Sequence, residues 1–280
     1  MALAEVSPFT TAQYIHEIDD FPRWVVDYVV KTPINGRTGW NEHFKSYTYS
    51  SGGWEQGVIA RRDFYKTLVT PPSDDSTLAD VANKVVRVWG HIKKVTFSPA
   101  HMKPLREAFS LLDNEASWLG VGSTQLGRLF GIATQSPSLP SHTKLYEMHD
   151  PHKWTIYDSR VSFALTDLVL LYWTSKGNAI GSQLLSFPES VGRPKGDLKG
   201  SQLRDTACAP VGTRSEAALA FIYASWLMRE IARLLRQNSR VSPPPTDDTP
   251  PQYVPLQTDW QVYHVEMALW MMKDIIASES

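Results

Sequence analysis

"PHKWTIYDSRVSFAL", residues 151–165, decides how the chain is read. Its second half opens a buried helix, with Val161, Leu165, Leu168, Val169 and Tyr172 at helical spacing on one face. Asp158-Ser159-Arg160 stands where that helix begins. An aspartate there caps the helix by accepting the free amides of its first turn. The same place suits a carboxylate that must stay ionised in a dry pocket, because a helix N-terminus carries about half a positive charge. Position alone leaves both readings open.

Outward from that stretch the chain reads as mostly all-α. Residues 11–30 are helical with a break near Pro22, and residues 31–53, rich in Gly, Ser and aromatics, read as a long loop. Residues 73–92 place acidic and hydroxyl residues before an apolar stripe, a helix start. Shorter helices are predicted over 98–112, 122–134 and 141–150, the last ended by Pro151. The helix at 158–175 leads into a Gly- and Lys-rich connection through about residue 212. "TRSEAALAFIYASWLMREIARLLRQ" (213–237) is the strongest helix, with Thr213 and Glu216 as a capping box. Residues 241–257 hold six prolines and form an extended connector to a closing helix at 259–276. Alternating patterns are scarce, "SQLLSF" (182–187) being a weak strand candidate.

At 280 residues the chain suffices for one helical domain, with two lobes an option. A net charge of −1 excludes a globally basic nucleic-acid binder but not a local basic face. One cysteine, Cys208, excludes an internal disulfide and points to a reducing, cytoplasmic location. "MALAEVSPFT" lacks a basic n-region, so no secretory leader is expected, and no run is long enough to cross a membrane. His142, His149 and His152 invite a metal reading, but spacings of seven and three across a proline do not match zinc patterns. No Walker loop, GxSxG elbow or CxxC pair is present, and no cofactor is expected.

The order Lys144, Pro151, then "IYDSRVSFAL" (156–165) resembles the core of helix-hairpin-helix DNA glycosylases, especially the bacterial branch related to 8-oxoguanine glycosylase. In that superfamily a proline-led turn delivers an aspartate to a core helix in a pattern like Val-Asp-Thr-His-Val, with which Asp158-Ser159-Arg160-Val161 lines up. "VYHVEMALW" (262–270) resembles the branch's final helix, and the likeness covers residues 142–172 and 258–274. The family's Gly-x-Gly hairpin is missing before Lys144, where the chain reads "TQSPSLPSHTK". A Gly120-Val121-Gly122 turn lies too far upstream, so Ser141, His142 and Thr143 at a helix start become the candidates for holding a DNA phosphate.

The resemblance implies a two-lobed helical fold and a monomer acting on double-stranded DNA that carries a modified base. Breaking the bond from base to deoxyribose leaves positive charge on the sugar, which a carboxylate such as Asp158 stabilises. Lys144, 14 residues upstream, is the second catalytic candidate, either in support or as a nucleophile forming a Schiff base. The base must leave the stack for a pocket with aromatic walls. Trp40 and Trp54 in Gly-flanked loops, Arg160 beside the aspartate, and Trp260 and Glu266 at the closing helix are candidates for reading DNA and base. Arg193, Lys195, Lys199 and Arg204 in one loop, and Arg229, Arg233, Arg236 and Arg240 along one helix, offer backbone contacts or simply a solvated face. Relatives of this kind include 8-oxoguanine repair enzymes and anti-phage enzymes that remove glucosylated hydroxymethylcytosine. Loops 31–53 and 176–212 lean toward the roomier pocket of the second. The rival reading is a helical DNA-binding protein without the reaction.

Overall fold

The computed structural model describes residues 11–18, 20–48, 53–115, 139–177, 185, 187, 214–244 and 259–272, with 214–218 in backbone alone. Among these residues there is no strand beyond one isolated bridge, Ile34 to Arg37. The helices are α1 (Thr11–Glu17), α2 (Phe21–Lys31), α3 (Trp40–Lys45), α4 (Trp54–Leu68), α5 (Asp75–Asn83), α6 (Met102–Asp113), α7 (Leu139–His149), α8 (Ser159–Ser175), α9 (Arg214–Gln237) and α10 (Val262–Met271). α5 widens into a π segment, Lys84–Trp89, and α6 is preceded by a 3-10 turn, Pro99–His101.

The predicted break near Pro22 is present: α1 ends at Glu17, and Pro22 sits in the first turn of α2, where its missing N–H costs nothing. Asp20, between the two helices, accepts hydrogen bonds from the Tyr172 hydroxyl and the Lys176 ammonium, tying the corner to α8. At the start of α5, Asp74 accepts from the Thr77 amide and hydroxyl, both at 2.7 Å. α6 buries Met102, Leu105, Phe109 and Leu112 on one stripe, the spacing an amphipathic helix requires.

Two parts of the predicted layout change. Residues 31–53 are not a continuous loop, because Asn35 and Gly36, both at positive φ, close a tight turn that leads into α3. α3 buries Trp40, His43 and Phe44 against α10, so an aromatic-rich stretch became a helix once it had a partner to cover. Trp54 does not sit in a loop; it opens α4. The predicted 122–134 helix, the Gly120–Gly122 turn, the Thr213 cap, the basic loop 193–204 and residues 273–276 lie outside the described residues. The same holds for most of the 176–212 connection, of "SQLLSF" and of the connector beyond Pro244. The connector's first residues dock on the core: Asn41 Nδ2 donates to the Ser242 and Pro243 carbonyls at 3.0 and 3.2 Å.

α10 is the axis of the fold. Every residue from Val262 to Trp270 is buried, and the helix packs on α3, α8 and α9. α2 covers α8 and α9, while α4, α6 and the π segment enclose α7. A helix apolar all round belongs at a centre, yet α10 carries His264 and Glu266 inward.

Burial holds two histidines far below their ordinary range: His264 at about 3 and His43 at about 4. Both rings are neutral when folded and gain a proton on unfolding, so below about pH 6.5 the unfolded chain binds more protons. Stability is therefore full above that pH and falls as pH drops toward 4. Beside burial, the charge of Arg37 also disfavours a proton on His43, while the Arg37 backbone works more weakly the other way. His43→Phe is expected to move the acid-unfolding midpoint, followed by circular dichroism, to lower pH; an unmoved midpoint would remove His43 from the acid response.

Candidate active site

The strand-like stretch before α8 is pinned from two sides. The Thr143 hydroxyl of α7 accepts from the Tyr157 amide at 3.2 Å, and the Ser225 hydroxyl of α9 accepts from the Thr155 amide at 3.4 Å. Trp154, Ile156 and Tyr157 are buried, so the chain has little freedom by the time it reaches residue 158. Asp158 then caps α8 through Oδ1, which accepts from the Arg160 and Val161 amides at 3.0 and 3.3 Å. Its backbone is extended and its side chain half-buried, at the end of the helix where the dipole favours a negative charge.

Behind this carboxylate lies a buried charge cluster. Arg61 of α4 donates through Nε to Glu147 of α7 and through Nη2 to Glu266 of α10, each at 2.5 Å. Its Nη1 donates to the Gly57 carbonyl at 3.2 Å. Three helices are thus joined by one guanidinium, whose fork geometry suits two carboxylates at once. Burial works against the charge of Arg61, but the two glutamates together hold it well above its usual range. Burial pushes Glu266 up; Arg61 pulls it back, while Glu147 and Asp158 push it further. Glu147 is likewise raised by burial and relieved by Arg61.

Lys144, one turn before Glu147, is 4% exposed and belongs to the same cluster. Burial lowers its affinity for a proton; Asp158 is the largest influence opposing that, followed by Glu266 and Glu147. Two cations therefore face three carboxylates. Gly90, at the end of the π segment, makes room for this: a Cβ there would lie 2.7 Å from Lys144 Cδ.

Aromatic rings separate the cations. Arg160 lies 3.7 Å above the Trp270 ring, Trp270 packs on Tyr47 at 5.2 Å, and Arg61 lies between Tyr47 (5.7 Å) and Trp89 (5.2 Å). Lys144 Nζ is 5.9 Å from the same Trp89 ring. The alternation runs from Arg160, beside Asp158, to Lys144. Cation–ring contacts gain strength when water is excluded, as here. Trp89 ends the π segment, a feature that often marks functional sites.

Asp158, Lys144, Glu266 and Arg160 are thus brought into one region. Other candidate residues go elsewhere. Trp40 and Trp260 are 1% and 0% exposed and pack edge to face at 6.2 Å, because the turn before α10 lays Trp260 on Trp40 and Phe44 of α3; their faces are core. Trp260 also precedes α10 rather than lying on it. Trp54 packs on Phe44 at 5.2 Å. Ser141, His142 and Thr143 lie in the first turns of α7, as the helix-start reading requires, but all three side chains are buried in this conformation. The arginines of α9 divide: Arg229 grips Glu115 at 2.8 and 3.0 Å, Arg236 donates to the Trp260 carbonyl at 2.6 Å, and Arg240 lies past the helix end. His149 bridges Leu68 O and Asp113 Oδ1, and no group of three His, Cys, Asp or Glu side chains gathers for a metal among the described residues.

Arg61, Glu147, Tyr47, Trp89 and Trp270 were not singled out from sequence. Their signal was present in part: "LYEMH" and "VEMALW" each set a glutamate inside an apolar run, and such a charge needs a partner. Nothing local names Arg61 as that partner, 86 residues before Glu147 and 205 before Glu266.

Compared with family models, curated proteins and solved structures, the chain matches none.

Proposed function

We propose that the chain is a DNA glycosylase that flips out a modified base and hydrolyses its bond to deoxyribose, leaving an abasic site. The observation that carries this reading is Asp158, a half-buried carboxylate fixed by two amides at the N-terminus of a buried helix, with Lys144 behind it. The residue-level likeness over 142–172 and 258–274 supplies the class of reaction. Asp158 stabilises the cationic sugar as the base departs and orients the attacking water. Arg160, held on Trp270, lies two residues after that carboxylate and is the DNA contact this reading uses.

The glucosylated base loses part of its support, since loop 31–53 holds α3 with Trp40, His43 and Phe44 buried. Substrate identity rests on assay. Duplexes carrying 8-oxoguanine, alkylated bases, uracil or glucosylated hydroxymethylcytosine are incubated with the protein, and freed bases are measured by mass spectrometry. One modified base is expected among the products. A panel with no freed base overturns the reading.

Burial of Trp40, Trp260 and Ser141–Thr143 favours, as a second reading, a helical DNA-binding protein without the reaction. Gel-shift binding that weakens steeply with salt, with no freed base, would support it, because phosphate contacts release counterions. Binding to a protein partner with little salt dependence would exclude both.

A further inference from the structure

Apart from the buried Lys144, the described lysines fall into two groups. Lys31, Lys45, Lys66, Lys153 and Lys176 each have a carboxylate oxygen between 2.9 and 3.7 Å away, from Asp27, Glu42, Asp63, Asp150 and Asp20. Lys84, Lys93, Lys94 and Lys103 are exposed and make no ion pair among the described residues, and the same holds for Arg87. All five lie in one stretch, because the chain has no Asp or Glu from residue 81 to residue 106. In a protein of net charge −1 this is a local excess of positive charge.

The fold gathers most of that charge into one compact segment. Asn83, at the end of α5, donates to the Phe97 carbonyl at 2.8 Å and accepts from the Phe97 amide at 2.9 Å, so residues 83 and 97 are held side by side. Between them His91 takes a φ of 52°, and the Ile92 amide donates to the Val86 carbonyl at 3.0 Å, turning the chain back on itself. The inner side of the segment faces the charge cluster. Trp89 lies 5.9 Å from Lys144 Nζ and 5.2 Å from Arg61, and Phe97 packs edge to face on His142 at 5.6 Å. Lys84, Arg87, Lys93 and Lys94 stand on the solvent side. Like charges gathered without partners repel one another, and a polyanion relieves that repulsion. Duplex DNA offers the charge density required, about one phosphate per 1.7 Å of axis, and lysine suits phosphates as a mobile point charge. We infer that the solvent side of segment 83–97, through Lys84, Arg87, Lys93 and Lys94, is a surface that holds the phosphate backbone of double-stranded DNA. The identity of the polyanion rests on the glycosylase reading, and the contacts of Trp89 put this grip next to the cluster behind Asp158.

The test follows binding of a fluorescein-labelled, unmodified duplex of about 20 base pairs by anisotropy, from about 50 to about 200 mM potassium chloride. Full-length wild type is compared with K84Q/K93Q/K94Q and with K31Q/K45Q/K66Q, which removes the same charge from paired positions. Circular dichroism checks both folds. K84Q/K93Q/K94Q is expected to bind about 100-fold more weakly at the lowest salt, with a salt slope smaller than that of wild type by about 2 to 3. The control is expected to stay within about twofold of wild type, because charges beyond a Debye length from the DNA are screened. Equal losses in the two variants would mean that net charge alone is felt, and would overturn the inference. Wild-type affinity in K84Q/K93Q/K94Q also overturns it, and leaves the glycosylase reading standing wherever wild type frees a base. Binding that depends on these lysines without any freed base supports the inference while the glycosylase reading fails. Wild type that binds no duplex, modified or unmodified, overturns both. Lysine-dependent binding that is tighter to single-stranded RNA or to phosphatidylserine vesicles than to duplex overturns the inference in favour of that partner. If K84Q/K93Q/K94Q does not fold, acetylation of wild-type lysines read by mass spectrometry decides. Duplex is expected to protect Lys84, Lys93 and Lys94 but not Lys31, Lys45 and Lys66; protection that does not single out the first three overturns the inference.

Discussion

Asp158→Asn is expected to lower base release by on the order of 10³-fold or more, since the charge that meets the cationic sugar is lost. The fold should survive. An asparagine Oδ1 still accepts from the Arg160 and Val161 amides, so the start of α8 stays capped. The variant thus separates two roles of one side chain, capping and charge, that position alone could not. It also withdraws the largest influence keeping Lys144 protonated, so the lysine should give up its proton more readily than in wild type. Single-turnover release of base, with circular dichroism as the check on folding, makes the measurement. Turnover near wild type in a folded Asp158→Asn protein would remove Asp158 from the mechanism.

Arg61→Met is expected to be the most damaging single change to stability. It leaves Glu147 and Glu266 buried side by side without their shared cation, and breaking a buried ion pair from one side costs roughly 3–5 kcal/mol. In a chain of this size that corresponds to a fall in Tm of about 10 °C. The loss comes from stranded charges more than from missing attraction, so removing all three should recover most of it. Arg61→Met with Glu147→Gln and Glu266→Gln is therefore expected to melt well above Arg61→Met alone. Thermal melts of the two proteins decide the matter: equal melting points would mean that Arg61 holds α4, α7 and α10 together by packing on Tyr47 and Trp89 instead.

Legibility followed the range of each interaction. The Asp158 cap, the Pro22 break and the stripe of α6 are settled within a few residues, by hydrogen bonds and periodicity that a sequence displays directly. α3 was missed because "WNEHFK" has no start signal, only a preceding Gly39 at positive φ, and its helix exists to cover α10. A glycine before Trp40 and the place of Trp260 at the closing helix suggest rings available for stacking, yet the two pack edge to face in the core. The phosphate role of Ser141, His142 and Thr143 needs groups open to solvent at a helix start; α7 does start there, but packing buries all three, which no local pattern displays.

From the sequence alone follow a helical chain, a carboxylate at the head of its buried helix and a lysine one short loop before it, since each depends on neighbours along the chain. The tertiary structure alone decides what surrounds that pair. Arg61, Glu147 and Glu266 meet only when α4, α7 and α10 pack. A buried charge reveals its partner through desolvation, which is a property of the assembled core and leaves no local mark to read.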